Sequence, residues 1–272
     1  MALFEERVPF KPFEYPIYYT EGWLKQAQAF WLHTEIAMQG DVIHAIAYSY
    51  LNETLGLEDF EAFLHEPATA DKFDLLMNTG GDYTHEDLAK SPEARKDVAK
   101  SLAIFSAFAE GVSLYSSFAV LYSFQMRNML KGVGQQMKWS VRDESLHSRM
   151  GCKLFNDTCD EYPELRGESK DAIIEAARLI VELEEKFIDK MFEMGDLENL
   201  KASDLKEFIK QRTNDKLREL GYESIFEVNE KQAGNLDWFY HLTGGHTHTD
   251  FFSIRPTDYS KAGEDDNWDD LF

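Results

Sequence analysis

This sequence predicts an all-α fold: a helix bundle with an extended N-terminal arm and a flexible C-terminal tail. Three observations point there. Apolar residues recur at helical spacing over three long segments and a fourth, shorter one between residues 93 and 220, and no alternation is sustained enough to mark a strand. Seven prolines and sixteen glycines are few for 272 residues, which leaves room for long helices. Residues 101–126 are apolar on nearly every side, as a helix at the centre of a bundle must be.

The elements follow in chain order. Residues 1–20 form the arm, because Pro9, Pro12 and Pro16 forbid a helix there. Residues 21–240 form the bundle. Its first helical patterns run over 21–39 and 42–55, with Gly56 as a C-cap. The next covers 58–65 and is stopped by Pro67, and a short one covers 70–78. Gly80, Gly81 and Pro92 mark residues 79–92 as a loop. Helices are then expected over 93–124, 126–157 and 168–194. A last one spans 203–220, capped by Ser203 at its start and Gly221 at its end. Patterning fades from 222, and residues 241–272 form the tail.

Composition narrows the function. Fifty acidic residues against 28 basic give a formal charge of −22, which opposes binding to nucleic acid or to an anionic membrane surface. The two cysteines, Cys152 and Cys159, are too few for a disulfide scaffold. They share a helix face about two turns apart, too far to bridge, and are expected as buried free thiols. Residues 1–16 carry no signal-peptide pattern, so the expectation is a soluble protein of the reducing cytoplasm. Residues 101–126 are long enough to span a membrane, but the segment is one of a kind, holds several serines and sits among amphipathic helices.

Glu110 is the only charged residue in that stretch. An ionised carboxylate in an apolar interior is costly unless it is paired or binds a metal. Both readings stand for Glu110 alone: a metal ligand, or a structural partner of a residue such as Arg142. Thirty-four residues later come Glu144 and His147, at i and i+3 on one helix face, where both side chains can reach one centre. Carboxylate oxygen with imidazole nitrogen suits iron or manganese. Carboxylate bundles with two metals use single carboxylates on two helices and a Glu-x-x-His on each of two others. The first half of the chain offers Asp41 and His44 at the same spacing, with Tyr48 one turn beyond. His44 reads as a ligand. Asp41 reads either as a ligand or as the N-cap that Gly40 and Asp41 would also form.

Taken together, these residues resemble the small, radical-generating subunit of class I ribonucleotide reductase. The matching pieces are Phe30, Trp31, Glu35 and Ile36; Ile43, His44, Ala47 and Tyr48; Phe108, Glu110, Gly111, Tyr115 and Phe118; Arg142, Asp143, Glu144 and His147; and the Asp258–Lys261 stretch before an acidic, aromatic end. The resemblance implies a ferritin-like bundle and a dinuclear iron or manganese centre held by His44, Glu110, Glu144 and His147, with Asp41 able to replace at most one of the family's other carboxylate ligands. It implies a tyrosyl radical on Tyr48. Trp31, Asp143 and His44 would carry the electron hole outward, and Tyr259 would relay it. The tail would dock on a large subunit that reduces ribonucleotides to deoxyribonucleotides, and the small subunit would pair as a homodimer.

One departure stands out. The family carries a ligand-bearing helix between the Trp-containing helix and the Glu-x-x-His helix, whereas here Glu35 leads almost directly through Asp41 to His44. Five candidate ligands then serve two metals. Two other classes therefore stand beside the first: a ferritin-like metal oxidase or storage protein, and a metal-poor scaffold. Phe108, Leu114, Phe118 and Leu146 are expected to wall the site. Met126, Met129, Met137 and Met150 are expected as core fillers, and His246 and His248 as part of an exposed loop.

Overall fold

A computed structural model describes residues 67–77, 83 and 85–243. The expectations for the arm, for the helices over 21–65 and, from residue 244 on, for the tail lie outside these residues, as do Trp31, Asp41, His44, Tyr48, His246, His248 and Tyr259; the first three residues of the expected tail, 241–243, are helical.

Among the described residues the fold is all-α, as predicted. Helix α1 spans Pro67–Met77, α2 His85–Lys90 and α3 Pro92–Ile104. Pro67, expected only as a stop, is the first residue of α1, where its missing N–H costs nothing. The stretch expected as a loop over 79–92 contains α2, too short for its periodicity to register. Ser91 caps α3: its Oγ accepts from the Ala94 amide at 3.2 Å, Pro92 follows, and Glu93 faces the positive end of the helix dipole.

The central helix does not run through as one α-helix. It turns π-helical over Phe105–Ser113, pauses at Leu114 and resumes as α4 over Tyr115–Met126. Each π turn encloses one more residue than an α turn, so the side chains beyond it point differently from those of a continuous helix. The run Pro92–Met126 is long and apolar enough to cross a membrane, but 67% of its most apolar window is buried inside the bundle.

The expected helix over 126–157 begins only at Lys131. Asn128 and Leu130 take left-handed backbone angles, φ 61° and φ 48°, which break the path. Helix α5 then spans Lys131–Glu161 and lies against the π segment through small residues. A methyl group on Gly151 would stand 1.8 Å from Ser106 Oγ and 2.4 Å from its Cβ. One on Gly111 would stand 2.7 Å from Ser148 Oγ. The two helices approach this closely only because these positions carry no side chain.

Helix α6 spans Glu164–Met191 and α7 Ala202–Glu219. Ser203 is not the cap of α7: the helix starts one residue earlier, and Asp196 Oδ1 accepts from the Ala202 amide at 2.9 Å. Gly221 does end it, at φ 81°, and the Tyr222 amide folds back to the Leu217 carbonyl at 2.8 Å. Residues 223–243 keep a defined path where patterning had faded. Asn214 accepts from the amides of Ile225 and Phe226 and donates to the Phe226 carbonyl, so one side chain ties the loop to α7. Two short helices follow, α8 over Glu230–Gly234 and α9 over Asp237–Thr243. Phe239 on α9 is fully buried edge-on to Tyr115, Tyr122 and Phe208.

Phe108, Met137, Phe155, Ile173, Ile180 and Ile188 anchor one continuous core, each fully buried. Of the expected core methionines, Met137 is buried and Met150 half-buried. Met126 and Met129 are exposed because they flank the broken turn between α4 and α5. Cys152 and Cys159 are buried free thiols; burial pushes the Cys152 thiol up to about 12, so it stays protonated and unreactive at neutral pH.

Candidate metal centre

Glu110 comes from the π segment, and Glu144 and His147 come from one face of α5. The tight seam at Gly111 and Gly151 brings these backbones together. Ligand atoms of all three residues lie within 4.8 Å of one another. His147 Nδ1 stands 3.7 Å from Glu110 Oε1 and 3.5 Å from Glu144 Oε2. Glu110 is less deeply placed than a wholly apolar helix suggested: its side chain keeps 21% of its exposure, against 12% for Glu144 and 9% for His147. The reason is that it sits on the outward edge of the π segment, where Phe105 and Leu114 are also exposed.

Two carboxylates facing one imidazole decide its protonation. Hydrogen bonding to Glu110 first and then to Glu144 outweighs the opposing effect of burial and raises His147 to about 10. Without a metal, the two carboxylates favour the protonated imidazole. Two hard oxygen donors and one imidazole, on two helices pinned against each other, form a suitable set for one iron or manganese ion. Leu114 does not wall this site, being 38% exposed, since the pause in the helix turns it outward. Phe108 and Phe118 are buried, and Leu146 is half-buried. Asp143 lies next to Glu144 on α5, half-buried.

Sequence reasoning missed two groups of residues. Tyr115, expected only as part of a motif, is fully buried, and its hydroxyl lies 2.7 Å from Ser145 Oγ, beside Glu144. Above its ring lies Arg212 of α7. Glu184 on α6 is the most deeply buried acid described: Ser116 Oγ donates to it at 2.6 Å, and Lys72 Nζ lies 2.5 Å from its other oxygen. Its signal was its register, four residues after Ile180 and four before Ile188, on the apolar face.

An all-helical bundle in which carboxylates and a histidine from neighbouring helices converge defines the class: a carboxylate metal protein of ferritin-like architecture. The family profile for ribonucleotide reductase, small chain, matches residues 42–233. A ribonucleoside-diphosphate reductase small subunit of Invertebrate iridescent virus 3 is 30% identical over 335 aligned positions, covering 98% of this chain and 88% of that protein. The chain therefore belongs to the ribonucleotide reductase small-chain family. The subunit beta of Chlamydia pneumoniae is 25% identical over 82% of this chain and 64% of its own. A crystal structure assigned to class I ribonucleotide reductase from Bacillus halodurans shares the fold with TM-score 0.60 at 20% identity, covering 76% of this chain and 73% of that one. The dimanganese(II) NrdF of Streptococcus sanguinis gives TM-score 0.50 at 20% identity, over 72% and 67%.

Proposed function

We propose that this chain supplies the radical for ribonucleotide reduction, with Glu110, Glu144 and His147 holding one ion of a dinuclear iron or manganese centre. The observation that carries this reading is the convergence of those three side chains from two helices. The other ion would fall to His44 and Asp41. Such a centre, when bound, supplies the one-electron oxidation that leaves a radical on Tyr48.

The described residues prepare that chemistry. Glu110 and Glu144 bring negative charge to one point and orient His147, which must give up its proton to become a ligand. Phe108, Tyr115 and Phe118 close the inner side against water. Trp31, Asp143 and His44 would carry the hole outward, Tyr259 would relay it, and the acidic tail ending at Phe272 would dock on the large subunit, where nucleotide is reduced. A homodimer in the cytoplasm completes the reading.

A specific observation keeps the metal-poor scaffold in view. The viral alignment spans 335 positions against 272 residues, so at least 63 of them face no residue of this chain, and the family match begins at Val42, just after Asp41. A ligand-bearing helix lost between Glu35 and His44 would account for part of them. Metal analysis decides. After loading with Fe(II) or Mn(II), about two ions per chain are expected on the carboxylate-bundle pattern. Glu144→Gln should lower the affinity more than about 100-fold, since even outer partners of such ligands are worth ten- to a hundredfold. Ferrous iron and oxygen should then give a tyrosyl resonance that Tyr48→Phe abolishes. Metal content near zero in the wild type would instead establish the scaffold.

A further inference from the structure

Arg212 on α7 is buried, with 8% of its surface exposed, and among the described residues no carboxylate pairs with it. Burying a guanidinium without an anion is unfavourable unless other groups compensate it. Its Nε donates to the carbonyl of Gly111 at 2.7 Å. Its guanidinium carbon lies 3.2 Å from the centre of the Tyr115 ring. Its Nη1 reaches the Tyr240 hydroxyl at 3.5 Å. Gly111 follows Glu110 directly, and Gly111 and Tyr115 bracket the place where the π segment gives way to α4. One turn along α7, Lys216 presses on the same peptide: a methyl group on Gly111 would meet its Cε at 2.9 Å.

We propose that Arg212 is a positioning residue for Glu110, a strut that holds the π register; this rests on Glu110 being a metal ligand. A change of helical repeat disturbs the pairing of carbonyls and amides in that turn, and Arg212 adds a donor where it occurs. A slip of one residue back to a regular helix would turn a side chain by about 100° around the axis. Glu110 would then leave the face it shares with Glu144 and His147. The guanidinium resists the slip because it is rigid and planar, and it donates to one side of the junction while standing over the ring at the other. A lysine keeps the charge but cannot do both at once.

The test uses the full chain and Mn(II) alone, titrated by the resonance of the free ion, with thermal melting of the metal-free protein run alongside. Arg212→Met should weaken Mn(II) binding by the folded protein by about tenfold, and Arg212→Lys by a smaller factor, each with an altered spectrum of the bound ion. A change in Arg212→Lys isolates geometry from charge and serves as the readout should Arg212→Met fail to fold. Unchanged affinity and an unchanged bound-ion spectrum in the folded variant would overturn the proposal. If the wild-type chain binds no Mn(II), the reading of the centre fails separately, and amide exchange decides for the strut. Faster exchange confined to residues 105–116 in Arg212→Lys supports it, and unchanged exchange there overturns it.

Discussion

Two acidic sites of this bundle, one at Glu184 and one at Glu110 and Glu144, are finished in opposite ways. Glu184 is sealed: Lys72 and Ser116 meet its two oxygens, Lys72 also donates to the Ser113 carbonyl at 2.7 Å, and its ammonium lies over the Phe187 ring. At the second site two acids, Glu110 and Glu144, converge on a single imidazole that can leave its proton behind. Glu184 is the deeper of the two, fully buried, yet its partners leave no room for a ligand. Depth of burial does not mark a functional acid; the convergence of several donors on a point that a cation can take does. The lysine at the first site already occupies the place that a metal would take at the second.

The sharpest way to break this contrast is to open the sealed site. Lys72→Met leaves Glu184 buried without its cation, and breaking a buried pair from one side costs about 3–5 kcal/mol. The cost should depend on pH. Burial already raises Glu184 above the ordinary carboxylate value, and Lys72 opposes that rise, so removing Lys72 raises it further. A carboxyl raised in the folded state contributes stability that is fully present below its unfolded value and lost as pH climbs through the folded one. The variant should therefore lose more stability at pH 8 than at pH 5.5 by urea unfolding. Equal losses at both would show that Glu184 does not carry the charge the structure assigns it.

A second substitution tests the seam that builds the open site. Gly151→Ala places a methyl group 2.4 Å from Ser106 Cβ, an atom that no side-chain rotation moves away. Forcing an extra carbon into a packed contact costs about 1–3 kcal/mol. Because α5 carries Glu144 and His147 while Ser106 lies in the segment of Glu110, the shift should also weaken Mn(II) binding. Lower stability with unchanged affinity would mean that the seam supports the fold without setting the site.

The two sites were also unequally legible. Glu110 announced itself by being the only charge in an apolar run, and Glu144 with His147 by their spacing, so the open site could be read from sequence alone. Glu184 hid among the charges of a helix that also carries Glu182, Glu185 and Lys186, and only its register betrayed it. The partners joining each site were beyond reach, since Lys72 to Glu184 and Arg212 to Gly111 span more than a hundred residues. The long helices were placed to within a few residues, but the change of repeat at Phe105–Ser113 was invisible, because an apolar segment reads alike in either repeat. Helices α2, α8 and α9 are too short to show a period and are held by capping and tertiary contacts instead.

The smallest effect sharpens the contrast within a single helix. Glu182 lies two residues before Glu184, and Lys186 Nζ meets its carboxylate at 2.9 Å, much as Lys72 meets Glu184. Both partners are more than half exposed, so water and salt screen their attraction, and holding two long side chains in place offsets what remains. Lys186→Ala should leave the unfolding midpoint unchanged within measurement error at moderate salt. Two ion pairs of similar length on the same helix would then differ in consequence only because one is dry. A loss comparable to that of Lys72→Met would show that this face of α6 is covered in the assembled protein, which would make it a candidate for the contact between small subunits.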